Sequence, residues 1–68
     1  MKNYEKSTQR FVKEYANWKI SILEDLAKSF PENAHITRAN ITVIKETVKG
    51  WERGYIMTDE VMTKIAEF

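Results

Sequence analysis

The spacing of apolar residues in the first half of the chain predicts one long amphipathic helix over residues 4–30. At about 100° per residue, its large apolar side chains fall within one arc of about 140°. They are Tyr4, Phe11, Val12, Tyr15, Trp18, Ile22, Leu23, Leu26 and Phe30. Asn3, Ser7 and Thr8 are candidate N-caps. Because Pro31 disfavours the helical conformation at the preceding residue, we expect the helix to end near Ser29.

A second helix is predicted from Thr37 or Arg38 to Arg53, with Gly54 beyond its end as a left-handed cap. Apolar residues at spacings of three and four form a seam that would pack on the first helix. They are Ile41, Ile44, Val48, Trp51 and Tyr55. The run of β-branched residues over 41–44 favours a strand locally, but the sequence offers no second run to pair with it.

Thr58 is the predicted N-cap of a third, short helix that continues to Phe68. The fold class that follows is all-α, as a single small helical domain over residues 1–68. It has a long N-terminal helix, a second antiparallel helix and a short C-terminal helix, and we expect a helical homodimer.

The first helix would be about 40 Å long and the second about 25 Å, so the N-terminal part of the first helix would extend beyond the second. We expect a second copy or a target protein to cover Tyr4, Phe11 and Tyr15, with Ile20 extending that surface from outside the arc. The predicted intrachain core consists of the larger residues further along both helices. They are Trp18, Ile22, Leu26, Ile44, Val48 and Trp51.

The chain is short and has no cysteine, which strengthens the expectation of self-association. Its 68 residues are near the lower size limit for a self-sufficient core, and no disulfide can add stability. No apolar run approaches the roughly 18 residues of a membrane span, and the N-terminal residues lack the apolar segment of a secretory signal. We therefore expect a cytoplasmic protein.

Eleven basic and ten acidic residues give a net charge of +1, which is weak for a nucleic-acid-binding protein. One side of the second helix is nevertheless basic over about 80°. Its residues are Arg38, Thr42, Lys45, Lys49 and Arg53. This basic face could bind DNA, contact an acidic protein surface or simply be solvated, since Glu46 and Glu52 flank it.

Catalytic and metal-binding patterns are missing from the sequence. His35 is the single histidine, whereas a metal site needs about four converging ligands. The acidic pairs Glu24-Asp25 and Asp59-Glu60 are adjacent in sequence and would point apart on a helix. We therefore expect a protein that is not an enzyme, with no cofactor, no metal and no small-molecule substrate.

The segment Trp51-Glu52-Arg53-Gly54, followed by residues 58–66, resembles the C-terminal half of the phage Cro/repressor-type helix-turn-helix family. That resemblance implies a dimeric DNA-binding regulator using residues 36–66. The positions implied to face DNA are Lys45, Glu46, Thr47 and Lys49. The sequence departs from the family at Thr42, where the turn would fall and no helix breaker is present.

The function these patterns favour is that of a small helical protein that regulates or inhibits a partner protein, of a kind typical of phages or mobile elements. A few aromatic anchors on the first helix would supply the binding energy. DNA binding by a helix-turn-helix regulator is the alternative.

Overall fold

A computed structural model of the chain describes residues 5–68, which form three α-helices and contain no strand. These are α1 (Lys6–Ser29), α2 (Ala34–Glu52) and α3 (Thr58–Ala66). A 3-10 turn over Pro31–Asn33 joins α1 to α2. The prediction of an all-α fold with three helices is confirmed. α1 and α2 form a helical hairpin, and α3 packs mainly on α2 with fewer contacts to α1.

The ends of α1 agree with the sequence prediction at Ser29 but not at the N-terminus. Glu5 is the N-cap and has an extended backbone, while Ser7 and Thr8 lie inside the helix. Asn3, the third predicted cap, lies outside the described residues. The N–H group of Phe30 donates to the carbonyl of Leu26 at 2.9 Å and closes the last turn.

α2 begins at Ala34, earlier than the predicted Thr37 or Arg38. The short turn opened by Pro31 leads directly into the helix, and the Thr37 hydroxyl donates to the carbonyl of Asn33 at 3.3 Å. Thr37 is therefore an interior residue of α2 and not its cap. The β-branched residues 41–44 are helical, as predicted.

The C-terminus of α2 has the backbone pattern of a Schellman motif. Gly54 has a φ of 86°, its N–H group donates to the carbonyl of Trp51 at 3.0 Å, and that of Tyr55 donates to the carbonyl of Gly50 at 2.9 Å. The predicted left-handed cap at Gly54 is confirmed.

Thr58 has a different role from the predicted N-cap of α3. Met57 is the N-cap, and Thr58 is the first residue of the helix. The Thr58 hydroxyl accepts a hydrogen bond at 3.0 Å from the indole Nε1–H group of Trp51. This bond ties the start of α3 to the end of α2. α3 ends at Ala66, and Phe68 packs against the core as a half-buried residue.

One hydrophobic cluster lies between the three helices. Its buried residues are Val12, Ala16, Leu23, Ile41, Ile44, Trp51, Val61 and Ile65. The predicted core positions Ile44 and Trp51 are confirmed, and Val48 packs against the cluster as a partly buried residue. The core assignment of Trp18, Ile22 and Leu26 is wrong, because all three are exposed.

Candidate functional site

The apolar arc of α1 is divided into a buried edge and an exposed edge. Val12 and Leu23 lie in the core together with Ala16, a residue that the sequence analysis had left out of the arc. Helical geometry places these three about 120° around α1 from the line of larger side chains at positions 11, 18 and 22. α1 therefore buries an edge made of Val12, Ala16 and Leu23 and exposes most of its aromatic side chains.

We refer to the exposed edge as the apolar stripe, and its residues are Phe11, Tyr15, Trp18, Ile22 and Leu26. Four of the five are exposed hydrophobic residues, at 61% for Phe11, 56% for Trp18, 43% for Ile22 and 44% for Leu26. Tyr15 is intermediate and also touches the core. The stripe lies along most of α1, so the overhang of one helix end does not explain its exposure.

Three aromatic rings of the stripe stack along the helix. The ring centroids of Phe11 and Tyr15 are 6.4 Å apart with an interplanar angle of 7°, and those of Tyr15 and Trp18 are 5.7 Å apart with an angle of 19°. Such offset contacts stabilise aromatic pairs by about 0.5–1.5 kcal/mol beyond simple burial. The three rings therefore lie side by side along this edge of α1.

The difference in length between α1 and α2 is smaller than the sequence suggested. With 24 and 19 residues, the helices are about 36 Å and about 28 Å long. The early start of α2 at Ala34 accounts for its additional length. Exposure of Phe11 agrees with the sequence prediction, but Trp18 and Ile22 in the middle of α1 are exposed as well.

Among the predicted interface residues, the structure brings Phe11 and Tyr15 together but places Ile20 elsewhere. Ile20 is partly buried against the core and lines a groove between α1 and α2. It lies nine positions from Phe11, hence about 180° around the helix, and does not extend the surface of Phe11 and Tyr15. Tyr4, the fourth predicted residue, lies outside the described residues.

The basic face of α2 is exposed at all five of its predicted positions. They are Arg38, Thr42, Lys45, Lys49 and Arg53. The Thr42 hydroxyl donates to the carbonyl of Arg38 at 3.1 Å, so it is occupied within the helix. Glu46 is also exposed and Glu52 is intermediate, so the local charge is mixed at the edge of this face.

Two shallow grooves between α1 and α2 border the basic face. The first lies between Lys28, Arg38 and Lys45, with Glu24 at its rim, and the second between Lys13, Lys45 and Lys49, with Glu52 at its rim. The sequence analysis did not identify Lys13 and Lys28 as neighbours of this face. Both lie on the polar side of α1, but only the packing of the hairpin shows that this side meets the basic side of α2.

Among residues 5–68 there is no group of three or more His, Cys, Asp or Glu side chains that could hold a metal ion. His35 is exposed on the first turn of α2. Within the same range, no helix has the length and apolar character needed to cross a membrane.

α2 is continuous through Thr42, the position of the turn in the helix-turn-helix family. The Lys45, Glu46 and Lys49 side chains are exposed, whereas Thr47 is buried and its hydroxyl donates to the carbonyl of Val43 at 2.7 Å. Of the four positions implied to face DNA, Thr47 is thus not available on the surface.

Comparisons with protein-family models, curated proteins and solved structures find no match for this chain. The two surfaces of the hairpin are therefore the basis for assigning a function.

Proposed function

We propose that this protein is a small, non-catalytic helical binding module that regulates a partner protein and makes protein–protein contacts through the apolar stripe of α1. The observation that carries the proposal is the exposure of Phe11, Trp18, Ile22 and Leu26 along one side of a single helix. An aromatic side chain has about 150–250 Å² of surface and Ile or Leu somewhat less, so these four leave on the order of 400 Å² exposed. The largest apolar patch of a monomeric protein covers about 300–600 Å² and is often functional, and the stripe falls in that range.

The chemistry of the stripe supports protein contacts in particular. Aromatic residues are enriched among the anchors of protein interfaces, where they supply large contact areas with few rotatable bonds. The stacked rings of Phe11, Tyr15 and Trp18 form a row of aromatic side chains along α1, which a partner surface can contact together.

The basic face supports a second role for α2, namely steering an acidic partner. Lys45 lines both grooves of the hairpin, with Lys13 on the α1 side of one and Lys28 on the α1 side of the other. Charges at the rim of an interface mainly raise association rates, and their effect decreases with salt. We propose that the apolar stripe provides affinity and that the basic face selects partners with acidic surfaces.

Affinity capture from cells that express the tagged chain tests this function. The stripe variant is Ile22→Lys, which introduces a charge at an exposed position where lysine is compatible with a helix. The matched control is Tyr55→Lys, because Tyr55 is 81% exposed in the turn between α2 and α3 and is not a residue of the stripe.

A partner retained by wild type and Tyr55→Lys but lost from Ile22→Lys would support the proposal. A partner retained by the wild type and by both variants would show that it contacts a surface other than the stripe. Loss from Lys45→Glu/Lys49→Glu alone, with Ile22→Lys unaffected, would assign binding to the basic face instead of the stripe.

The second candidate function is DNA binding by a helix-turn-helix-type regulator. The specific observation in its favour is the exposure of Arg38, Lys45, Lys49 and Arg53 along one side of α2. Fluorescence anisotropy with labelled random duplex DNA at low and near-physiological salt tests it. Binding that weakens steeply with salt would favour DNA, because Lys and Arg side chains release counterions from phosphates. No binding at low salt would remove this candidate.

A further inference from the structure

We infer that the apolar stripe of α1 is covered by the apolar stripe of a second copy of this chain, in a symmetric homodimer. The inference rests on the proposed function, because it takes the stripe to be a protein-binding surface. It goes beyond that function by naming a second copy as the occupant of the stripe in the free protein, which a partner bound at the stripe would displace.

The first argument is the area of the stripe. Two stripes facing each other would cover roughly 800 Å² of exposed apolar surface, twice the value for one chain. Since apolar atoms supply about 60% of a typical interface, the total buried area would be about 1,300 Å². Specific interfaces bury about 1,200–2,000 Å², so full coverage of both stripes would place this dimer at the lower end of that range.

The second argument is the charge pattern around α1. A twofold axis brings the same patch of both chains together, so any charge at its centre would lie close to its own copy. The stripe residues occupy an arc of about 80° on the helical wheel, and no charged residue falls inside that arc. The nearest charged residues are Asp25 and Lys19, which lie about 20° beyond its two edges. The stripe is therefore compatible with itself, whereas the basic face of α2 would repel its copy.

The third argument is the small size of the intrachain core. Nine hydrophobic residues are buried among those described, and Ala16 and Ala34 are two of them. A chain of 68 residues without cysteine has little apolar burial to offset its conformational entropy. Association supplies further burial, and a second copy is present wherever the first is made.

Analytical ultracentrifugation of the full chain over a range of concentrations tests the inference. We expect wild type and Tyr55→Lys to sediment as dimers at micromolar concentration. Ile22→Lys should raise the dimer dissociation constant by roughly a hundredfold or more, because the symmetry introduces the charge twice. Far-UV circular dichroism checks that the variant remains helical. If Ile22→Lys does not fold, Phe11→Lys at the more exposed end of the stripe replaces it.

Monomeric wild type at all concentrations would overturn the inference. So would an Ile22→Lys or Phe11→Lys chain that remains folded and dimerises like wild type, or a Tyr55→Lys chain that is monomeric. These results are separate from the capture experiment. A wild-type monomer that still captures a partner through the stripe would refute the homodimer and leave the proposed function intact.

Discussion

The seam of α2 and the stripe of α1 have the same helical spacing and similar residues, but the protein buries one and exposes the other. Ile44 and Trp51 of the seam have at most 1% of their surface exposed, whereas Trp18 of the stripe has 56%. The difference follows from where each helix lies. α2 contacts both α1 and α3, while α1 packs mainly against α2 and meets the short α3 along a limited part of its length.

An amphipathic pattern therefore shows that a helix has an apolar side but not how much of that side its own chain can cover. A helix between two neighbours buries a wide arc, and a helix with one main neighbour buries a narrow one. In α1, the narrow buried arc is centred on Val12, Ala16 and Leu23. The residues of the apolar stripe lie outside this arc and form a surface that the chain itself does not cover.

Truncating one tryptophan in each helix tests whether the seam of α2 contributes more to stability than the stripe of α1. Trp51→Ala should lower the free energy of unfolding by about 3–5 kcal/mol, because it removes a fully buried ring. Trp18→Ala should have a much smaller effect at a concentration where the chain is monomeric. Urea unfolding followed by far-UV circular dichroism measures both.

Concentration provides the control for the two tryptophans. Trp51→Ala should lower the free energy of unfolding by the same amount at every protein concentration. The decrease caused by Trp18→Ala should grow as the wild-type chain associates, since binding of a second chain stabilises only the folded form. Equal losses at low concentration would show that Trp18 belongs to the monomer core, contrary to its exposure.

Two leucines of α1 allow the same comparison within one helix. Leu23 has 4% of its surface exposed and Leu26 has 44%, although they are three residues apart. We expect Leu23→Ala to lower the free energy of unfolding by about 2–5 kcal/mol and Leu26→Ala by less than about 1 kcal/mol in the monomer. Chemical denaturation measures both losses. A larger loss for Leu26→Ala than for Leu23→Ala would mean that the buried edge of α1 is wrongly placed.

The features of the fold that could be predicted from the sequence are the local ones. The seam of α2 up to Trp51, the end of α1 before Pro31 and the cap at Gly54 depend on local signals, and all three were identified. The inclusion of Tyr55 in the seam is wrong, because Tyr55 follows the Gly54 cap and is 81% exposed. The buried edge of α1 was missed because it depends on which helices surround it. The weight given to large residues favoured Trp18 over Ala16, although a single methyl group permits closer approach between helices.

The candidate site was predictable only in part, for the same reason. The five positions of the basic face follow from periodicity along one helix, and their exposure agrees with the prediction. The presence of Lys13 and Lys28 beside this face depends on how α1 packs against α2. Ile20 was placed correctly outside the arc, but the expectation that it extends the surface of Phe11 and Tyr15 is wrong because it packs towards α2.

Enlarging Ala16 tests whether small size determines which edge of α1 is buried. Ala16 is 3% exposed, so Ala16→Leu should overpack the core and lower the free energy of unfolding by about 1–3 kcal/mol. The neighbouring Asn17→Leu, at an exposed position, is the control for adding the same side chain and should change stability by less than about 0.5 kcal/mol. Thermal unfolding of the two variants decides the matter. A stable Ala16→Leu protein would imply that room for a larger side chain exists at this edge.

We expect the smallest effects on stability from substitutions of the two glycines near the end of α2. They test the local packing of the turn between α2 and α3. Gly54→Ala should lower the free energy of unfolding by about 1 kcal/mol, because a φ of 86° is strained for any residue with a Cβ atom. Gly50→Ala should be close to neutral. Alanine adds up to about 1 kcal/mol of helix propensity, but its Cβ atom would lie 3.0 Å from the Cδ1 atom of Ile56.

The close contact at Gly50 can be separated from helix propensity by a double-mutant cycle. Ile56→Val removes the Cδ1 atom, so in that background Gly50→Ala should raise the free energy of unfolding by about 0.5–1 kcal/mol. Urea titrations of the wild type, both single variants and the double variant give the coupling energy. A Gly50→Ala effect that is the same in both backgrounds would mean that Ile56 moves aside freely. The α2–α3 turn would then be less tightly packed than the seam that precedes it.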